Sequence, residues 1–146
     1  MPIALLTVLE WVGPDADHKE HDDPSWELVE DAIRRLNGRE RNDLYLYADL
    51  DAAEPGAYLC VGGGGGRYVV AGLDRGDTSP TFAPGPGDEG EREPLLVAGN
   101  VGAFPRNWIV DLDTALRAAR SFYQAGGFGG GDVQWAKPSV RAMRCT

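Results

Sequence analysis

Apolar and polar residues alternate along several short segments of the chain, and this alternation predicts β-strands. Residues 3–11 carry apolar side chains on both faces, which indicates a strand in the interior of a sheet. Residues 44–50 place apolar side chains on one face and Tyr45 and Tyr47 on the other, which indicates a strand with one wetter face. Five further strands are predicted, at residues 57–61, 67–72, 95–98, 108–110 and, at an edge, 133–135.

Five consecutive glycines, at residues 62–66, separate two of these strands. Unhindered backbone N–H groups in such a run could cradle a phosphate. A phosphate-binding loop, however, leads into a helix and carries Lys-Ser or Lys-Thr, whereas Gly66 leads into the strand that begins at Arg67. We therefore predict a β-hairpin with the glycines at a flexible tip.

Apolar residues at three- and four-residue spacing predict a first helix in the segment that follows Asp23. Asp23 is predicted to cap this helix and Pro24 to occupy its first position. The pair Asn37-Gly38 supplies a left-handed stop.

A second amphipathic helix is predicted to begin after Asp111 or Asp113 and to end at Gly126-Gly127. The order of strands and helices predicts an α+β fold. It is a single domain with a largely antiparallel sheet of about six or seven strands and two helices packed on it. The domain is predicted to occupy residues 1–138, followed by a basic tail at residues 139–146.

Two acidic segments show no apolar periodicity and are predicted to be loops. Residues 15–23 form the first loop, which contains both histidines, His18 and His21. Residues 73–93 form the second, which is rich in proline and glycine. Phe82 is its one large apolar residue, and it serves either as an anchor onto the body or as a partner contact. Residues 99–105 are predicted to be a turn region.

Acidic residues outnumber basic ones by 23 to 14, which gives a formal net charge of −9. A surface of this sign repels nucleic acid and anionic membranes and attracts cationic partners. The cysteines, Cys60 and Cys145, are too few for a disulfide scaffold and are typical of a reducing cytosol. The apolar run near the start is too short to span a bilayer and lacks the features of a signal peptide. These observations predict a cytoplasmic protein that contacts neither nucleic acid nor membrane directly.

Few residues could carry catalysis or bind a metal. His18, His21 and the acids around them could ligate a divalent cation, although a flexible loop lacks the preorganisation of most metal sites. Cys60 lies within a predicted strand, where a buried, inert thiol is the commoner case. Carboxylates on the first helix are more typical of a solvated face than of an acid–base pair. The sequence thus indicates a protein that is not an enzyme and carries no cofactor. The alternative is a small-molecule or metal-binding accessory domain that uses the His18/His21 loop or a pocket under the glycine hairpin.

Three segments together carry a resemblance to a known family. They are Pro24-Ser25-Trp26 at the first helix, residues 58–70 around the glycines, and residues 115–135 at the second helix and beyond. In this order the chain resembles the first-numbered immunity-protein family of bacterial polymorphic toxin systems, small cytosolic antidotes often encoded beside deaminase toxins. The resemblance implies an inhibitor that binds one toxin domain in a one-to-one complex and blocks its active site or substrate groove. The implied target is a nucleic-acid cytosine deaminase.

The charge agrees with this implication, because a toxin that acts on nucleic acid must present a cationic groove, for which an acidic protein can compete. Two acidic surfaces are candidates for the contact, and solubility is the alternative explanation for each. The predicted toxin-binding residues are Asp15, Asp17, Glu20, Asp22, Asp23 and Glu27 on the first surface, and Asp74, Asp77, Phe82, Asp88, Glu89 and Glu91 on the second.

Overall fold

A computed structural model of the chain describes residues 3–49, 56–129 and 133–138. The nine strands within these residues are β1 (Leu5–Val12), β2 (Asp15–Asp22), β3 (Asp43–Tyr47), β4 (Tyr58–Gly64), β5 (Arg67–Leu73), β6 (Thr81–Phe82), β7 (Arg92–Val97), β8 (Asn100–Pro105) and β9 (Ile109–Val110). The two α-helices are α1 (Trp26–Arg34) and α2 (Leu112–Ala125), and a short 3₁₀ helix spans Arg106–Trp108.

Seven of these strands form one antiparallel sheet in the order β2-β1-β3-β4-β5-β6, with β9 also paired to β5. Both helices pack on one face of this sheet, and the core lies between them and the strands. This arrangement confirms the predicted α+β fold class. The main core side chains are Leu6, Leu44, Leu46, Leu59, Val61 and Val70 from the sheet and Val29, Ile33, Ala115, Ala119 and Phe122 from the helices.

The start of α1 lies two residues later than predicted. Ser25, not Asp23, is the N-cap, and its hydroxyl oxygen accepts a hydrogen bond from Leu28 N–H. Asp23 instead has a left-handed φ of 45° and donates its N–H to the carbonyl of Ala4. It therefore lies directly after the end of β2 and before the helix cap. The helix also ends earlier than the Asn-Gly pair, at Arg34.

The ends of α2 match the prediction. Asp111 caps the helix by accepting a hydrogen bond from Thr114 N–H, and Gly126 ends it in the left-handed conformation with φ 69°. The hydroxyl of Tyr123 on α2 donates a 2.7 Å hydrogen bond to the carbonyl of Pro24, just before α1. This bond fixes the second helix against the start of the first.

The glycine run is only partly a turn. Gly62, Gly63 and Gly64 belong to β4, and the turn to β5 is formed by Gly65 and Gly66. A Cβ on Gly62 would lie 2.5 Å from Cγ1 of Val97. The first glycines of the run therefore allow another part of the chain to approach the sheet closely, which the prediction of a flexible five-residue tip did not anticipate.

The prediction of a turn region at residues 99–105 is wrong, because residues 100–105 form β8. Strands β7 and β8 make a separate two-stranded sheet, and Val97 pairs with Asn100 across a two-residue turn. Ala98 and Gly99 in this turn have φ values of 54° and 77°. Two consecutive left-handed residues are the geometry of a type I′ hairpin.

The predicted edge strand at residues 133–135 is not formed. Ala136 instead makes an isolated antiparallel bridge to Phe82, donating its N–H to the carbonyl of Phe82 and accepting a hydrogen bond in return. Trp135 packs edge-on against Phe128, with ring centroids 4.8 Å apart, so this segment is held by a ring contact as well as by the bridge. The predicted tail at residues 139–146 lies outside the described residues.

Candidate functional site

The first acidic segment is a strand, so its prediction as a loop is wrong. β2 pairs with β1 along its whole length, from Val12 opposite Asp15 to Leu5 opposite Asp22. Within the described chain β2 is the edge of the sheet. Because side chains alternate along a strand, Asp15 and Asp17 project toward the helix face, whereas Glu20 and Asp22 project from the opposite face.

The acids of this edge lack cationic partners in the described part of the chain. None of the first-surface residues forms an ion pair there, although other acids nearby do. Glu10 on β1, for example, pairs with Arg41 at 2.9 Å, and Asp31 on α1 pairs with Arg35 at 2.8 Å. Among the described residues, the acids without an ion pair on β2 and at the start of α1 are Asp15, Asp17, Glu20, Asp22, Asp23 and Glu27.

The second acidic segment uses much of its charge in its own structure. Asp77 pairs with Lys137 at 2.9 Å, and Glu91 pairs with Arg106 at 3.3 Å. Side chains of two other acids accept hydrogen bonds from nearby backbone N–H groups, and Glu89 also has an interaction partner. These two acceptors are Asp74, bonded by Arg75 N–H, and Asp88, bonded by Gly90 N–H.

Phe82, for which the sequence left open an anchoring role or a partner contact, is buried. Its side chain is 2% exposed and stacks on Trp108 with ring centroids 4.5 Å apart. It lies in the short strand β6, paired with β5. Of the two roles considered for Phe82, the structure shows the anchor onto the body.

Three tyrosines form a row on the sheet face opposite the helices. Tyr45 and Tyr47 lie two residues apart on β3, and Tyr58 on β4 pairs with Tyr47. The ring centroids of Tyr45 and Tyr47 are 6.2 Å apart, and those of Tyr47 and Tyr58 are 6.1 Å apart. All three side chains are partly exposed. We refer to Tyr45, Tyr47 and Tyr58, with the neighbouring Cys60, as the tyrosine shelf.

The β7–β8 hairpin covers only one end of this face. Val97 approaches Gly62, and Gly99 lies against the indole of Trp11. Glu93 on β7 pairs with Arg67 on β5. The tyrosine shelf lies beside this covered area, and the β1–β2 register places Glu20 and Asp22 on the same side of the sheet. Sequence reasoning placed the tyrosines on the wetter face of their strand but did not select them as binding residues.

The surroundings of the shelf raise the pKa values of its thiol and of two of its phenol groups. Desolvation, with the nearby Asp43 carboxylate, raises the pKa of the Cys60 thiol to about 12. The phenol pKa values of Tyr45 and Tyr47 are raised above their usual range, chiefly by desolvation and then by neighbouring acidic groups, Glu20 among those acting on Tyr47. Cys60 is therefore a protonated, unreactive thiol at neutral pH.

A groove of about 480 Å³ lies on the other face, between α1 and the β1–β2 hairpin. Its apolar floor includes Leu6 and Val8, with Leu28 on the helix side. Side chains of both signs surround it, so it presents no net preference for a charged partner. They are Glu10, Asp17, Asp31, Lys19, Arg35, Arg41 and His21.

The geometry of β2 does not bring together the two histidines on which the metal-binding alternative depends. His18 and His21 are three residues apart on β2 and therefore project from opposite faces of the sheet. In the described ranges no group of three or more His, Cys, Asp or Glu side chains is arranged to hold a metal ion. The space beside the glycine hairpin is filled by Val97. No helix in the described residues has the length and apolar character needed to cross a bilayer.

Comparison with models of protein families identifies a match over most of the chain. The family model described as Immunity protein Imm1 matches residues 17–137, a span that includes both helices and every strand from β3 to β9. A search of curated proteins finds no significant match. The family match covers most of the chain and confirms the resemblance found in the sequence. The chain therefore belongs to the Imm1 family of immunity proteins.

Proposed function

We propose that this protein protects the cell that makes it by binding a cognate bacterial toxin domain and inhibiting it without catalysis. The complex is one-to-one and forms in the cytoplasm, and the inhibitor occupies the toxin's active site or substrate groove. Membership of the immunity family supports the inhibitory role. The observation that carries the proposed contact is that the acids of β2 form no ion pair within the described residues, although the strand is paired with β1 along its whole length.

The target is a toxin that acts on nucleic acid, and specifically a cytosine deaminase, as the family resemblance implies. An enzyme of this kind must bind the phosphate backbone and take a base into a pocket, so it presents cationic residues around its active site. A protein with a net charge of −9 is attracted to such a groove. Charge complementarity of this type mainly raises the association rate.

Of the two acidic surfaces, the first, centred on β2, is better suited to this contact. Its acids are held by the β1–β2 ladder rather than by a loop, so little ordering entropy is lost when a partner binds. Several acids of the second surface are already engaged by Lys137, Arg106 or backbone N–H groups. We therefore assign the toxin-facing role to Asp15, Asp17, Glu20, Asp22, Asp23 and Glu27.

The test uses a catalytically inactive form of the toxin domain encoded beside the gene for this chain. One variant replaces Asp15, Asp17, Glu20 and Asp22 by Ser, and a matched variant replaces Asp74, Asp77, Asp88 and Glu91 by Ser, so both lose the same charge. We expect the first variant to associate at least about tenfold more slowly at low ionic strength, with a weaker salt dependence. The matched variant should retain most of the rate.

An association rate that is unchanged in the first variant would exclude β2 as the toxin-facing surface. The proposed function as a whole fails if the wild-type protein does not bind or inhibit the toxin. It also fails if cells that express the protein die as readily as cells without it when the toxin is produced.

A further inference from the structure

The tyrosine shelf has the composition of an anchor for a protein partner. Tyrosine is enriched among the residues that dominate binding energy, because it offers a large apolar ring and a polar hydroxyl with few rotatable bonds. Three such rings lie in a continuous row with centroid spacings near 6 Å, on strands that are paired on both sides. Their partial exposure in the free protein leaves aromatic surface that a partner could cover.

The surroundings of the shelf are negative. Glu20 lies in register with Thr7, which in turn pairs with Tyr45, so its carboxylate lies on the shelf side of the sheet and has no described cation beside it. At the other end of the row, Asp43 shares the face of Tyr45 and is 1% exposed. Its Oδ1 accepts a hydrogen bond from Trp11, whereas its Oδ2 accepts none from the described residues.

We propose that the tyrosine shelf receives lysine or arginine side chains from a basic segment of the toxin. This inference rests on the proposed function and extends it to the residues that hold the complex together. A cation placed over an aromatic ring is attracted by the ring's negative face, and the attraction grows when the contact is desolvated. The Glu20 and Asp43 carboxyl groups add a negative potential that favours the same occupant.

Other occupants fit the shelf less well. Nucleic acid could stack on the rings, but phosphates would be repelled by uncompensated acids such as Glu20 and Asp22. A second copy of this chain would bring the same acids face to face in a symmetric contact. A basic segment of the toxin can contact the rings and is attracted by the carboxylates. The acids of β2 would then raise the association rate, and the contacts with the shelf would slow dissociation.

The test measures binding to the inactive toxin domain by Tyr47→Leu, Tyr58→Leu and Tyr47→Phe. Leucine keeps the side chain apolar but removes the ring, and phenylalanine keeps the ring. We expect each leucine variant to bind at least about tenfold more weakly, mainly through faster dissociation, while Tyr47→Phe stays within about threefold of the wild type. Asp113→Ser on α2 controls for a charge change on the helix side, and thermal unfolding confirms that every variant is folded.

A second measurement keeps the proposal testable if a leucine variant does not fold. Nitration of the tyrosines in the wild-type protein needs no variant, and it should be slower at Tyr47 and Tyr58 in the complex than in the free protein, because the bound segment covers the partly exposed rings. If the wild type binds and inhibits the toxin but Tyr47→Leu and Tyr58→Leu bind equally well, or the nitration of both tyrosines is unchanged in the complex, the shelf is excluded and the proposed function stands. If the wild type does not bind the toxin, the proposed function fails first.

Sedimentation of the protein alone completes the experiment. A monomer whose toxin affinity depends on the rings supports the proposal. A wild-type dimer that Tyr47→Leu converts to a monomer would assign the shelf to self-association and overturn it. Binding of single-stranded DNA to the wild type but not to Tyr47→Leu would likewise overturn it.

Discussion

The indole Nε1 of Trp11 donates a 2.9 Å hydrogen bond to Oδ1 of Asp43, a residue 32 positions further along the chain. Gly99, at the tip of the β7–β8 hairpin, lies against the same indole, and its N–H donates a 3.0 Å hydrogen bond to Asn42 Oδ1. Two adjacent residues, Asn42 and Asp43, therefore hold both the end of β1 and the hairpin tip. This connection defines the border between the covered end of the sheet face and the tyrosine shelf.

Trp11→Phe should lower the free energy of unfolding by about 1–3 kcal/mol, because Asp43 Oδ1 would lose its donor while remaining buried. Urea denaturation measures this change. The double variant Trp11→Phe/Asp43→Ala should cost less than the sum of the two single variants, since both remove the same bond. Strict additivity would show that the hydrogen bond contributes nothing.

Gly62→Ala should destabilise the protein by about 1–3 kcal/mol, because the new Cβ would lie 2.5 Å from Val97 Cγ1 and force the β7–β8 hairpin away. Combining it with Val97→Ala should recover part of the loss. Gly90→Ala is the matched control, since the nearest atom to its added Cβ would be Asp88 Oδ1 at 3.6 Å. Equal thermal unfolding midpoints for Gly62→Ala and Gly90→Ala would contradict the close approach.

Tyr123→Phe should cost about 0.5–1.5 kcal/mol, because it removes the hydrogen bond to the Pro24 carbonyl. The ring contact with Trp26, at a centroid distance of 5.7 Å, is kept. Tyr123→Leu should cost more, since it loses both. Equal free energies of unfolding for the wild type and Tyr123→Phe would show that this hydrogen bond contributes nothing to stability.

The stability of the protein should decrease as the pH rises above about 9. The Cys60 thiol has its pKa raised from 9.0 to about 12 in the folded state, so the unfolded chain loses this proton first. Stability from this group is complete below pH 9 and is lost as the pH approaches 12. Denaturant titrations at pH 8–10.5 give the free energy of unfolding at each pH. Its slope against pH should correspond to up to about one proton fewer in Cys60→Ala than in the wild type. An unchanged slope would refute the raised pKa.

Sequence reasoning succeeded where side chains or glycines determine local structure directly. The Asp111 cap and the Gly126 stop of α2 follow from the hydrogen-bonding and conformational preferences of those residue types. The alternation in β3 correctly divided its leucines from Tyr45 and Tyr47. Such signals lie within a few residues of the structure they specify, so they can be interpreted without tertiary information.

The errors concern strands whose conformation depends on the strand that they pair with. Asp15–Asp22 has low intrinsic strand preference and no buried face, and its conformation is imposed by pairing with β1. The strand β8 contains Gly102 and Pro105 and forms because Ala98 and Gly99 reverse the chain onto β7. The proposed binding surface could be derived from the sequence only in part. Its acids were selected by composition, but only the register between β1, β2 and β3 places Glu20 on the side of Tyr45.

The absence of described cation partners for the acids of β2 has a consequence for evolution. Side chains that support neither the core nor an ion pair can be exchanged at little cost in stability. An inhibitor of the proposed kind must follow changes in the toxin that it binds, and substitutions of buried or ion-paired residues would cost stability. The exposed residues of β2 could therefore change one at a time, while Leu6 and its neighbours on β1 keep the core intact.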